Sequence, residues 1–78
     1  MSVTITDDDA ARVADCICRW RKNLEAHHID GDTAAESNTR LMLLGVEYTL
    51  QAIGLTELAR RAKDARTAPI ITGTEATK

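Results

Sequence analysis

Aromatic side chains are nearly absent from this chain, which has one Trp, one Tyr and no Phe. Any core it builds is therefore aliphatic. Charge of one sign is also missing, because 10 basic residues stand against 12 acidic ones for a net charge of −2. No global positive field exists to gather nucleic acid or an anionic membrane. There is no apolar run of about 18 residues for a membrane span. The opening Met1-Ser2-Val3-Thr4-Ile5-Thr6-Asp7 has neither the basic nor the apolar region of a signal peptide. These absences lead to the expectation of a cytoplasmic protein with no membrane partner. A glycine-rich phosphate loop, a nucleophile elbow and a paired-histidine helix motif are lacking too. No enzymatic activity, cofactor or small-molecule substrate is expected.

What is present is a globular mixture, 44% hydrophobic and 28% charged, over 78 residues. That length allows one domain, and a domain of about this size hides only about 60% of the surface its unfolded chain exposes. Stability is thin, and self-association would add to it.

Three helices follow from pattern and capping. Thr6 with Asp9 forms a Ser/Thr-x-x-acid start, and Asp7, Asp8 and Asp9 place negative charge where the helix dipole favours it. These aspartates are read as capping rather than as a cation site. Helix one is predicted over residues 7–28, with Ala10, Val13, Ile17, Trp20, Leu24 and His27 on one seam at alternating spacings of three and four. Trp20 is read as core. The turn chemistry of Ile29-Asp30-Gly31-Asp32 then reverses the chain. Thr33 with Glu36 predicts a capping box opening helix two over 33–54. Equal lengths and a short turn imply an antiparallel hairpin. Helix three is predicted over 56–66, with Leu58, Ala62 and Ala65 on one side, and Ala68-Pro69 ends it. The expected domain is 1–67, followed by a mobile tail over 68–78; Pro69-Ile70-Ile71 is alternatively a short extended segment that pairs on binding.

Helix two is apolar on two sides. One carries Leu41, Leu44, Tyr48, Ala52 and Leu55, and the other Met42, Leu43, Val46, Leu50 and Ile53, when each residue is turned by about 100°. Helix one can cover only one side and helix three is too short to cover the whole of the other.

Candidate chemistry is sparse. Cys16 and Cys18 are separated by about 200° around a helix, so they neither bridge each other nor share a metal. They are read as unpaired thiols, with an intermolecular or redox role for Cys18 as the alternative. Cys16 and His27 lie about 16 Å apart along one helix, too far for a common zinc ion. His27 is expected to close the seam and His28 to cap the helix end.

The basic residues mostly have acidic neighbours at helical spacing. Asp8 with Arg12, Asp15 with Arg19, Glu36 with Arg40 and Glu57 with Arg61 run acid first; Arg21 with Glu25 and Arg60 with Asp64 run in reverse. This is the pattern of solvated helix faces. Gly54-Leu55-Thr56-Glu57-Leu58-Ala59-Arg60-Arg61-Ala62 nevertheless resembles the opening of a helix-turn-helix unit, which implies DNA binding; the following turn and recognition helix are missing.

The expected fold is all-α, a helical hairpin plus a short third helix that completes a bundle by self-association. The expected function is a non-catalytic protein-interaction module, homodimeric or bound to another protein. It would act as an adaptor or inhibitor of a larger complex, of the kind that phage or mobile-element genes encode. Met42, Leu43, Val46, Leu50 and Ile53 are the expected partner interface. The alternative is a transcription-regulatory accessory protein that contacts DNA through Arg60, Lys63 and Arg66.

Overall fold

A computed structural model of the protein describes residues 4–71, in which all regular structure is helical. The three helices are α1 (Asp7–Ile29), α2 (Thr33–Ala52) and α3 (Thr56–Thr67), and all three pack against one another.

The helix ends explain the path of the chain. Thr6 caps α1, its hydroxyl accepting from the Asp9 N–H at 3.1 Å. α1 closes on Gly31, whose φ of +74° is left-handed. The Asp32 N–H donates to the His27 carbonyl at 2.9 Å, and that of Gly31 to His28 at 3.1 Å. This is a Schellman closure, and it turns the chain sharply back. α2 ends the same way two residues earlier than the pattern predicted. Gly54 has φ +88°, with Leu55 N–H donating to Leu50 and Gly54 N–H to Gln51. The start of α2 also differs from expectation. Asp32, not Thr33, is the cap, accepting from the Ala35 N–H at 3.1 Å. Glu36 is thereby one residue too far along to close a capping box, and its carboxylate is free to pair elsewhere.

The core is aliphatic and small: Ile17 and Leu24 from α1, Leu43 and Leu50 from α2, and Leu58, Ala59 and Ala62 from α3 are buried. Ala10, Val13 and Trp20 of the α1 seam pack against this core while remaining partly exposed. Trp20 therefore lies at the core's edge and not in its centre. The alanines of α3 let that short helix lie close to both of the others.

The carboxyl end of α3 leaves carbonyls without helical partners. Arginines from the two other helices take them. Arg21 of α1 donates to the carbonyls of Ala65 at 3.0 Å, Ala68 at 2.8 Å and Pro69 at 2.9 Å, while its Nε holds Glu25 at 2.8 Å. Arg40 of α2 donates to the carbonyl of Arg66. These contacts hold Ala68 and Pro69, and Ile70 packs against the core, so the chain stays docked past the end of α3. The rest of the expected mobile tail, residues 72–78, lies outside the described residues, as does the 1–3 start of the expected domain.

Leu24 and Leu43 are 0% and 1% exposed, so truncating either to Ala should cost about 2 to 5 kcal/mol, whereas Leu41→Ala, at 65% exposure, should stay within about 0.5 kcal/mol. Thermal or urea denaturation of the three variants measures this. Arg21→Lys keeps the charge but loses the planar fork that reaches three carbonyls. It should cost about 1 to 2 kcal/mol and speed amide exchange at Ala68 and Thr67 more than at the centre of α2.

Candidate functional site

The 20 residues of α2 include only three charged side chains, Glu36, Arg40 and Glu47. At about 100° per residue the three fall within about 40° of one another around the axis. All three point toward the other helices. His28 Nδ1 of α1 lies 3.2 Å from both carboxylate oxygens of Glu36, and Arg40 donates to the same carboxylate at 3.1 Å. Glu47, only 8% exposed, accepts from Arg66 of α3 at 2.8 Å. The hydrogen bond from Arg40, helped by His28, holds the Glu36 carboxyl below its ordinary range against a smaller opposing effect of burial.

With its charges committed inward, the outer face of α2 carries none from Thr33 to Ala52. Leu41 is 65% exposed, Tyr48 62% and Met42 53%, and Leu44 is half-buried beside them. Ser37, Leu41, Leu44, Tyr48 and Ala52 recur at spacings of four, three, four and four, an apolar seam on the side away from the core. Gly45 lies within this surface, and a Cβ built on it would meet nothing within 4 Å. A glycine inside a helix costs about 0.5 to 1 kcal/mol relative to Ala. Among the described residues nothing crowds this position and calls for one.

This arrangement corrects the interface expected from the sequence. Leu43 and Leu50 are 1% and 7% exposed within one chain, and Val46 and Ile53 pack against the same core. Of the five residues, Met42 alone stays open to solvent. The expectation faltered on which side the other helices take: α1 lies along that face, with Val13, Ile17 and Trp20 beside Leu43 and Val46, and α3 closes the adjoining arc, with Ala59 beside Glu47 and Gln51. The outward face is Leu41, Leu44, Tyr48 and Ala52, with Leu55 turned in against the core. The clustering of Glu36, Arg40 and Glu47 on one arc, and the mid-helix Gly45, were the available signals.

Arg60, Lys63 and Arg66 are not gathered into one phosphate-binding stripe. Arg66 turns inward to Glu47, and Arg60 pairs with Glu57 at 2.5 Å, the partner that the sequence pattern had given to Arg61. Lys63 is exposed between them. Asp15 with Arg19, Arg21 with Glu25 and Glu36 with Arg40 pair as their spacing predicted. His28 reaches Glu36 across the turn instead of acting only on the end of its own helix.

Cys16 and Cys18 are both free and exposed, and they open on different sides. Cys16 borders a depression with Trp20, Leu43 and Val46; Cys18 borders an open groove of about 750 Å³ between α1 and α3, floored by Ala10, Ala14 and Leu58. The lips of that groove carry Asp15, Glu57 and Arg61, charges of both signs. Among the described residues, no three His, Cys, Asp or Glu side chains are grouped to hold a metal ion, and no helix is long and apolar enough to cross a membrane. No protein-family model matches the chain, and neither a curated protein nor a solved structure matches it significantly.

The Glu36 contacts carry a pH dependence with a definite sign. A carboxyl held below its unfolded value, about 4.3, contributes stability that is full above that pH and is lost as pH falls through the folded value. Glu36→Gln should therefore flatten part of the decline in urea midpoint measured from about pH 7 to about pH 3. Parallel declines in the variant and the wild type would show that these contacts add nothing to stability.

Proposed function

We propose that this protein is a non-catalytic interaction module that works by laying the outer face of α2 against another protein chain. It acts stoichiometrically, as an adaptor or an inhibitor. The observation that carries this reading is the combination found on α2: a surface about 30 Å long at 1.5 Å per residue, free of charge, with Leu41, Met42 and Tyr48 mostly exposed. Elsewhere the helices present charged residues to water, as Asp15 with Arg19 and Glu57 with Arg60 do. Continuous apolar surface next to such charged faces is typical of a contact region. The depletion of charge matches the centre of a protein interface better than a nucleic-acid surface, which needs cations directed outward.

The test is photo-crosslinking in the cells that naturally make the protein. A photoreactive phenylalanine analogue at Tyr48 or Leu41 should give a discrete covalent adduct, while the same group at Arg19 or Lys22 of α1 should give none. Equal labelling from all four positions, or none from Tyr48 and Leu41, would remove the reading.

A further inference from the structure

We infer that the occupant of the outer α2 face is a second copy of this chain, docked antiparallel with its two-fold axis passing between Leu44 and Gly45; the inference rests on the interaction reading above and names its partner. Three features of the face support a copy of itself. First, α2 puts no charge on this face, and the arginines at its edge, Arg40 and Arg66, are paired with Glu36 and Glu47, so two copies meet with little like-charge repulsion. Second, the order of side-chain sizes is self-complementary. With the axis between Leu44 and Gly45, Leu41 lies opposite Tyr48 of the other copy at both ends of the contact, placing an aromatic ring against an aliphatic side chain twice. The two Leu44 side chains then meet on one edge of the seam, the two Gly45 residues on the other, and small Ser37 and Ala52 follow at the ends. Third, this register gives Gly45 a purpose. Two helices approach closely where both lack a side chain, and no described residue beyond its own stretch of helix lies within 4 Å of a Cβ built on Gly45. The hollow beside Leu41 and Leu44, about 560 Å³ and walled by Ser37, Arg40, Arg66 and Thr67, gives room for a ring at that position.

The strip is narrow. About 30 Å by about 10 Å of helix surface is less than the roughly 800 Å² per partner of a standard stable interface. The pair is therefore a concentration-dependent dimer, and its measurement is sedimentation equilibrium of the full chain across the micromolar range. Wild type should move from one chain mass of 8.5 kDa to two with rising concentration. Gly45→Leu is the deciding variant. It adds a good helix former where the single chain has open space, so the helical signal at low concentration is kept or raised. A merely sticky face would associate more strongly with an added leucine; the close Gly45 contact requires association to weaken at least about tenfold.

Register has its own readout. With Cys16 and Cys18 replaced by Ser, Leu41→Cys and Tyr48→Cys should form a mixed disulfide on being combined, and each alone should stay largely uncrosslinked. Self-crosslinking of each alone, unchanged or tighter association of Gly45→Leu, or a monomer throughout would overturn the inference. A monomer whose Tyr48 position still crosslinks to a foreign protein in cells would leave the interaction reading standing. Absence of both adduct and dimer would end both.

Discussion

One side of α2 bears the whole fold. Leu43 and Leu50 on that side meet α1 through Ile17 and Leu24 and meet α3 through Leu58, Ala59 and Ala62. Gly54 makes this possible: its left-handed turn sends α3 back along α2 on the same side as α1. Two helices packed on one side of a third leave its other side to solvent. Among the described residues no further element covers it, so the exposure of Leu41 and Tyr48 follows from the direction of the turn at Gly54.

The polar contacts hold that direction in place. α3 has no side-chain cap at its start and contributes alanines where a longer helix would contribute leucines. Apolar burial alone holds such an element weakly, since each alanine removes little surface from water. Arg21 and Arg40 compensate by gripping the backbone at its carboxyl end from two helices at once, and Arg66 with Glu47 joins α3 to the middle of α2. Partly buried ion pairs of this kind add little net stability because desolvation offsets their attraction. Their geometric demand is greater than their energy. A forked guanidinium reaching three carbonyls is satisfied in one docking of α3, and a slipped helix would strand the charge.

The sequence made the elements legible and left their sidedness hidden. Helix positions, the Thr6 cap, the Gly31 reversal and the Ile17-Leu24 seam all rest on local rules, which act within a few residues and can be read from spacing. Which face of α2 turns inward is a tertiary matter. Both faces have helical period and similar apolar content, so hydrophobic pattern alone cannot choose between them. The usual guide, that charge points to water, would have sent Glu36, Arg40 and Glu47 outward. They instead lie inward because each has a hydrogen-bonding partner on a neighbouring helix: His28 for Glu36, the carbonyl at the end of α3 for Arg40, and Arg66 for Glu47. None of these is at helical spacing from its partner except Arg40, and only Glu36 with Arg40 was visible beforehand. The face expected to be open, with Leu43, Val46, Leu50 and Ile53, is thus the one turned to the core, and the solvent-exposed apolar face of α2 is the opposite one.

The same arrangement accounts for why an uncharged face persists on a protein this small. A domain of about this size has a thin margin, and burying Leu41 or Tyr48 in its own core would deepen that margin only if another helix were present to cover them. Replacing them with charged residues would cost the single chain little, because exposed positions tolerate substitution. Stability of the lone chain therefore calls for neither the apolar residues nor Gly45. Association does: a chain that binds only when folded is stabilised by its partner through mass action, in proportion to the logarithm of partner concentration over the dissociation constant. In the proposed antiparallel pair, the face that the fold does not bury would supply stability that a small core lacks, and the cost of Gly45 inside α2 would be offset by the close approach it permits.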